Sequence, residues 1–293
     1  MILLQNLIEA MALGALFALV AMGLGLMFGV MRLINFAYGE LITAGAYTLL
    51  LTRELPAWSR IVAALAVVVL LGLLMDLTFR PLRMASPTTM LIATFSVSFL
   101  LQNVAILTFG TRGEAIGFLP ALNQAVSIGD LRIRWVTLVS ILLGGLLLGA
   151  VSLLLTRTSI GLQIRAAAAD FSMARILGVK ANAVIRTAFV LAALLAGVVG
   201  MLLAVQRPLA TPTFGFLVII PALVGIVVGG MDRLVSATLG GFAIGAATGL
   251  LGNLLPSSQR VFLNTALFVL VIIILLIKPD GLFVRGRETV ERL

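Results

Sequence analysis

A few polar side chains interrupt long apolar runs, and they are the residues that could do chemistry. Asn35, Tyr38 and Glu40 lie between two apolar segments, in the run RLINFAYGE (32–40). A charged side chain at the centre of a membrane costs about 2.5–3.5 kcal/mol on insertion scales. We interpret these three residues as lining a pathway or gate; an ordinary interfacial turn is the alternative. Arg32 is a candidate ion-pair partner for Glu40, which we place at the membrane edge.

Amide side chains form a second polar group. Gln102 and Asn103 end the run SVSFLLQN (96–103). Pro221 lies inside another apolar segment, where it frees a backbone carbonyl and predicts a break in the helix. Amides in membrane helices often bond a neighbouring helix, or they can face a substrate route. We expect Gln102, Asn103 and Pro221 to belong to the pathway or gate.

The run GLQIRAAAADFSMARILGVK (161–180) looks soluble in an otherwise apolar chain. Its apolar residues repeat with helical spacing at Ile164, Ala167, Ala168, Phe171 and Ala174. With Gly178 as a C-terminal cap, the pattern predicts one short amphipathic helix outside the lipid, in a loop over 157–186. Such a helix docks on a partner, lies on lipid headgroups or only connects two segments, and its small apolar residues favour docking.

The residues that the chain lacks argue against several functions. It contains no Cys and no His, which removes disulfides, thiol chemistry and the usual metal ligands. It has no GxxxxGKS phosphate loop, so we expect no ATPase site of that kind, no cofactor and no metal. Asp76 lies near the end of an apolar segment, and we expect no ionisable residue at mid-membrane. That pattern disfavours a proton- or voltage-driven carrier.

The elements that must position these residues are apolar helices. Of the 293 residues, 61% are hydrophobic and 11% are charged, whereas a soluble domain has about 25% charged residues. We predict an all-α polytopic membrane protein with a single permease domain over 1–293 and eight or nine spans. The count depends on 36–52, which is short and could be broken or re-entrant. The candidate spans are 6–29, 36–52, 61–79, 88–109, 135–156, 187–206, 214–230, 234–255 and 261–277.

The positions of Lys and Arg predict an orientation. If the loop 157–186 is cytoplasmic, thirteen of the twenty basic residues lie on the inner side, and the reverse orientation gives seven. Nine spans then put the N-terminus outside and the C-terminus in the cytoplasm. The net charge of +9 is thus a topology signal and not a sign of nucleic-acid binding. The four spans before the fifth and the four after it have opposite orientations, which is typical of an inverted repeat.

Together these motifs resemble the permease subunits of branched-chain amino acid ABC importers, the LivH-type permeases, which are related to urea and amide permeases. The resemblance covers nearly the whole chain and rests on INFAYGE (34–40), RPLR (80–83), FLLQN (99–103), 161–180, GG at 229–230 and 240–241, and KPDGLF (278–283). It implies a permease of the bacterial plasma membrane that works by alternating access and catalyses no reaction itself. A urea or amide ABC permease is one alternative, and a self-powered secondary carrier or channel is the alternative from another class.

The resemblance also implies partners. These are a second, LivM-like permease, two cytoplasmic ATPases that bind the ATP, an external substrate-binding protein and the lipid membrane. The run 161–180 is similar to a coupling helix seated in the ATPase, through Arg165, Ala166, Asp170, Phe171, Met173, Ala174, Leu177 and Gly178. The chain departs from the family at Tyr38, which is usually His, at Ala169, which is usually acidic, and at 231–234, which is usually rich in Gly and Ser.

Overall fold

The computed structural model describes residues 2–128, 131–231, 233–278 and 281–283. This part of the chain is mostly helical, as predicted. The α-helices are α1 (Ile2–Met31), α2 (Tyr38–Leu51), α3 (Ala57–Phe79), α4 (Pro87–Phe109), α5 (Trp135–Arg157), α6 (Ser159–Ala169), α7 (Phe171–Ile176), α8 (Ala181–Gln206), α9 (Phe216–Gly229), α10 (Leu234–Leu254) and α11 (Leu263–Ile277). Short 3₁₀ turns occupy Arg80–Met84, Pro120–Asn123 and Ser257–Phe262.

Six helices in the described residues are long and apolar enough to cross a membrane, namely α1, α3, α4, α5, α8 and α10. The helices α9 and α11 are apolar but shorter. With α2, they correspond in order to the nine predicted spans. Because α2 and α9 have 14 residues each, each is about 21 Å long, less than the roughly 30 Å of a hydrocarbon core. The chain must therefore complete these two crossings in another conformation.

The long helices form one bundle with two distinct ends. Antiparallel packing brings Gly14 of α1 against Phe242 of α10, and Gly72 of α3 against Ala193 of α8. We call one end the α6 end, because α6 and α7 lie there, where α1 and α3 finish and α8 begins. The predicted positive loop is thus at the same end as the last turns of α1 and α3.

The opposite end, which we call the sheet end, carries two small antiparallel sheets. The strand β1 (Glu114–Ala115) pairs with β4 (Leu209–Ala210), which follows α8. The strand β2 (Ala125–Ile128) pairs with β3 (Leu131–Arg134), which leads directly into α5. These pairs satisfy the backbone of the long connection between α4 and α5.

Two groups of four helices, α1–α4 and α8–α11, repeat the same set of contacts. The helix α1 packs against α9 and α10, as α8 packs against α2 and α3. Within the groups, α2 packs on α3 as α9 packs on α10, and α2 contacts α9 directly. Since α1 ends at the α6 end and α8 begins there, the two groups run in opposite directions, as the predicted inverted repeat requires.

The segment before α2 enters the bundle instead of turning at its surface. The carbonyl of Ile34 accepts a hydrogen bond from the Thr94 hydroxyl of α4 at 3.5 Å. The ring of Phe36 packs edge-on against Phe95 with centroids 6.1 Å apart. The predicted span 36–52 therefore crosses as an irregular segment followed by the short helix α2. In the second half of the molecule, 207–215 connects α8 to the equally short α9.

Two local predictions differ from the observed fold. The run 161–180 forms two helices, α6 and α7, instead of one, because the backbone of Asp170 is extended, with φ −149° and ψ 105°. Pro221 does not break its span, since α9 is continuous through it. It lies in the second turn of α9, and the irregular backbone lies before that helix.

Candidate translocation and coupling sites

The short helices α2 and α9 begin next to each other inside the bundle. The Gly215 N–H, at the start of α9, donates to the Thr43 hydroxyl of α2 at 2.9 Å. A side chain at Gly215 would overlap the Gly39 carbonyl oxygen, so the two backbones touch. From this point, α2 runs towards the sheet end, where Tyr47 stacks on Phe109 at 4.3 Å. The helix α9 runs towards the start of α10.

Glu40 is at the centre of a buried polar cluster between α2 and α4. Its Oε1 atom accepts hydrogen bonds from the Ser98 hydroxyl and the Gln102 amide, each at 2.8 Å. The Gln102 amide also contacts the Ser98 hydroxyl at 3.2 Å. Ser98 is the middle residue of α4, and Glu40 is 3% exposed. The carboxyl group is thus fixed halfway across the bundle, bonded by two neutral groups.

This position corrects two expectations from the sequence. Glu40 does not lie at the membrane edge, and it is an ionisable residue near the middle of the bundle. The expected ion pair with Arg32 is not formed, because the Arg32 guanidinium donates to the carbonyl of Ala168 in α6 at 2.5 Å. The irregular segment 32–37 carries Glu40 inwards, and no periodicity in the sequence reveals that path.

Asn35 and Tyr38 shape the entry to α2. The Asn35 Oδ1 atom accepts from the backbone N–H of Ala37 at 3.0 Å, which forms a local turn. Tyr38 is fully buried and its hydroxyl lies against Gly23 of α1, where any side chain would collide with it. That hydroxyl has no hydrogen-bond partner among the described residues. Both residues therefore shape the chain just before Glu40, and among the described residues neither side chain hydrogen-bonds to the Glu40 carboxylate.

Asn103 and Pro221 do not join the Glu40 cluster. Asn103 is exposed on α4, and its amide donates to the carbonyl of Phe99 in the same helix at 2.7 Å. Pro221 is half-buried in α9. Sequence analysis missed Thr43 and Gly215, and it noticed Ser98 only as part of the polar run 96–103. The four-residue spacing of Ser98 and Gln102 was a usable signal, since it puts both side chains on one face of α4.

Capping interactions define α6 and α7 at the other end of the bundle. The Thr158 hydroxyl accepts from the N–H of Gly161, and Asp170 Oδ1 accepts from the N–H of Met173 at 2.9 Å. Asp170 is thus the N-cap of α7. At its C-terminus, Gly178 has φ +88°. The N–H groups of Gly178 and Val179 donate to the carbonyls of Arg175 and Ala174, which forms a Schellman motif and confirms the predicted cap.

The two faces of α6–α7 have different surroundings. Ile164, Ala167 and Ala174 from the predicted stripe are buried against the bundle, and Ala166, Ala168 and Phe171 are partly buried. The opposite face carries Arg165 and a group of exposed apolar side chains: Met173 (52% exposed), Ile176 (78%) and Leu177 (78%). Ile176 was not among the residues predicted from the sequence.

A charge cluster links the start of α8 to the end of α3. Asp76 is completely buried and accepts a hydrogen bond from Arg83, whose guanidinium also donates to Asn182 at 2.6 Å. Arg80 and Arg186 lie 3.7 and 3.8 Å from the second carboxylate oxygen. Because α7 leads directly into α8, this cluster and the Arg32–Ala168 bond fasten α6–α7 to the transmembrane helices on both sides.

Sequence comparisons identify the family. The profile of the family described as "Branched-chain amino acid transport system / permease component" matches residues 6–278. The chain belongs to this family. It is 28% identical over 305 residues to the high-affinity branched-chain amino acid transport system permease protein BraD of Pseudomonas aeruginosa, with 99% of this chain and 98% of BraD covered. It is 28% identical over 314 residues to LivH of Escherichia coli K12, a permease protein of the same description, with 99% and 97% covered.

Membership of the permease family agrees with the helical architecture. The relatives align along nearly their whole length, so the resemblance drawn from short motifs extends to the complete transmembrane region. The chain is a multi-pass membrane permease component, and this reading is favoured over a self-powered secondary carrier. The polar cluster at Glu40 and the capped helices α6–α7 are therefore features of a permease.

Proposed function

We propose that this chain is a permease subunit of an ABC importer that carries branched-chain or related amino acids by alternating access. The main observation is the exposed apolar face of α7 beside helices fastened firmly to the bundle. Three large apolar side chains in water are unfavourable unless a partner covers them, since each contributes about 1.5–3 kcal/mol when buried. In this proposal separate ATPase subunits cover them and bind the ATP, and the chain itself has no enzymatic activity.

The contacts of α6 and α7 with the bundle provide a route by which movement of these helices reaches the transmembrane helices. A displacement of α7 moves the start of α8, and the Asp76 cluster carries that movement to α3. The Arg32–Ala168 hydrogen bond carries movement of α6 to the segment before α2. The Glu40 cluster and the α2–α9 contact then act as the gate, because both lie on elements joined to these attachments. In this scheme Asn103 and Pro221 are only outlying members of the pathway.

The proposed assembly contains a second, LivM-like permease, two ATPases and an external substrate-binding protein, in a bacterial plasma membrane. The α6 end faces the cytoplasm, so the loop 157–186 meets the ATPases and the C-terminus lies on the same side. The sheet end, with the N-terminus, faces the substrate-binding protein. The names of the relatives support branched-chain amino acids as the substrate class.

The test is a paired substitution on the exposed face of α7. The double variant Ile176→Ser/Leu177→Ser removes apolar contact area without touching the buried face, so ATPase co-purification should weaken by at least about tenfold. Leu55→Ser is the matched control, because Leu55 is also exposed (49%) but lies in a loop at the sheet end. ATP-dependent leucine uptake in proteoliposomes should fall with the double variant only. Normal uptake and assembly by the double variant would refute the proposed docking face.

A further inference from the structure

A polar cavity opens at the sheet end, far from α6 and α7. Its volume is about 390 Å³, within the usual range of about 300–1,000 Å³ for small-molecule sites. It lies between the start of α1, the start of α5, and the ends of α8 and α10. Its polar lining consists of Glu9, Arg134, Thr137, Gln206, Arg207, Thr248 and Asn253.

Charges of both signs face this cavity without pairing to each other. Among the described residues, Glu9, Arg134 and Arg207 take part in no ion pair. Glu9 accepts a hydrogen bond from the Asn253 amide through Oε2 at 3.0 Å, which fixes its carboxylate and leaves Oε1 available. Separately, the Gln206 amide donates a hydrogen bond to the Ser140 hydroxyl at 3.0 Å. One fixed anion and two cations therefore line the same space.

The remaining lining is small or apolar. Ala12 and Leu13 of α1 contribute one wall, Gly249 and Gly252 of α10 contribute a second, and Leu263 of α11 adds an aliphatic side chain. Gly249 lies so close to Ala10 that a side chain there would collide with the α1 backbone, which fixes the distance between these walls. The cavity thus has an aliphatic region next to separate positive and negative groups.

We propose that this cavity binds a free α-amino acid with a short aliphatic side chain. The α-carboxylate pairs with Arg134 and Arg207, the α-ammonium with Glu9, and the side chain lies against Leu13 and Leu263. The ligand class rests on the proposed function, but the site is within this one chain and does not require the ATPases. It holds the substrate at the sheet end before the helices rearrange.

The Glu9 carboxylate makes a free amino acid a better occupant of the cavity than an acidic side chain of a docking protein. A lone carboxylate attracted by the two arginines would also meet repulsion from Glu9 in the same cavity. A lone ammonium would meet the opposite conflict with Arg134 and Arg207. Only a ligand that carries both charges satisfies all three residues, and free amino acids have that form at neutral pH.

The experiment measures competition for radiolabelled L-leucine on the full-length chain in nanodiscs, without ATPases. Leucinamide lacks the carboxylate, and 4-methylpentanoate lacks the ammonium group. We expect saturable leucine binding, and we expect each analogue to bind at least about tenfold more weakly, since each loses a charge-assisted contact.

Two variants assign the charges. Glu9→Gln should weaken leucine by about tenfold or more, whereas 4-methylpentanoate should bind at least as tightly as before, because it has no ammonium group to lose and is no longer repelled by a carboxylate at position 9. Arg207→Gln should weaken leucine, whereas leucinamide should bind at least as tightly as before, because it has no carboxylate to lose and meets one cation fewer. Arg53→Gln is the control, since Arg53 lies near the sheet end, is exposed and pairs with Glu54 outside the cavity. Retained binding of the analogue that is not weakened also shows that each variant is folded.

Opposite selectivity changes in the two variants would support the site. Absence of saturable leucine binding, or equal weakening of all three ligands by either variant, would overturn it. The result is separable from the proposed function. If the chain supports ATP-driven uptake but leucine does not bind in this cavity, only the proposed binding site is refuted. If leucine binds but the chain never supports uptake, only the proposed importer function is refuted.

Discussion

At the scale of single residues, Glu40 is the most constrained polar group of the proposed gate. One carboxylate oxygen accepts two hydrogen bonds from α4, so the side chain ties α2 to α4 in the middle of the bundle. Removal of a buried partner costs about 1–3 kcal/mol for each polar group left unbonded. The stability of the protein should therefore depend on an acceptor at position 40 more than on the charge itself.

The prediction follows from comparing two substitutions at this position. Glu40→Ala leaves Ser98 and Gln102 without their acceptor and should destabilise the protein by about 2 kcal/mol or more, with reduced uptake. Glu40→Gln keeps a carbonyl acceptor and should lose clearly less. Thermal unfolding in detergent measures the difference. Equal melting temperatures for the two variants would show that the hydrogen bonds to Ser98 and Gln102 contribute little.

Asp170 provides a second prediction, because it begins α7 as an N-cap. Asp170→Ala should destabilise α7 by about 0.5–2 kcal/mol, whereas Asn caps helices as well as Asp. In the reconstituted assembly, the Ala variant should hydrolyse ATP with less leucine carried per ATP, and Asp170→Asn should behave like the parent. If the Asn variant is as impaired as the Ala variant, the charge of Asp170 matters and not its cap.

Sequence reasoning at this scale succeeded where the determinants are local. The Gly178 cap and the helical spacing of the stripe through Ile164 depend only on neighbouring residues, and both were predicted. The surface that the stripe packs on was not predicted, because the stripe was expected to dock on a partner and instead lies against the bundle of the same chain. The depth of Glu40 depends on a non-helical segment that packs against α4, which is a tertiary property. The missed importance of Thr43 has the same origin, since its partner is the backbone at the start of α9.

At the scale of elements, the contact between α2 and α9 depends on two glycines. Gly215→Ala would place a methyl group on the Gly39 carbonyl, so it should separate the helices and reduce both folded yield and uptake. Gly145→Ala in α5 is the matched control, because no atom lies within 4 Å of the added carbon. Size-exclusion profiles and uptake assays compare them. A fully active Gly215→Ala protein would contradict the need for close approach.

Most of the candidate spans were predictable from apolar length, whereas 36–52 was too short to decide between eight and nine spans. Each of the nine candidate ranges contains a helix in the structure. The split of 161–180 was not predicted, although its cause is a residue in the sequence. Asp170 favours capping over a mid-helix position because its carboxylate bonds a backbone N–H beyond it. The alanine-rich residues before Asp170 favour a continuous helix, and this hid the tendency of Asp170 to start a new one.

At the scale of the whole molecule, the two ends differ in what they offer to partners. The α6 end carries the exposed apolar face of α7, and the sheet end carries the charged cavity. The distribution of arginines predicts that the α6 end is cytoplasmic, and this remains a prediction about orientation. The repeat of helix contacts in two groups was predictable from topology alone, without visible sequence similarity between them.

The absence of cysteine from the sequence allows a direct test of orientation. Single cysteines at Leu177, which is 78% exposed, and at Thr111, which is exposed after α4, mark the two ends. In intact cells that lack the ATPase subunits, which would otherwise cover Leu177, a membrane-impermeant maleimide should label Thr111→Cys only, and permeabilised cells should allow both to react. Labelling of Leu177→Cys alone in intact cells would reverse the orientation.

The shared starting point of α2 and α9 has one further consequence. Two short rods that touch at their inner tips and extend towards opposite faces of the lipid cannot swing independently. Tilting one of them to widen its own entrance pushes the joined tips against the other rod and narrows the second entrance. In the proposed gate, the backbone contact itself would thereby oppose a leak through both faces at once, before any solute or nucleotide is bound.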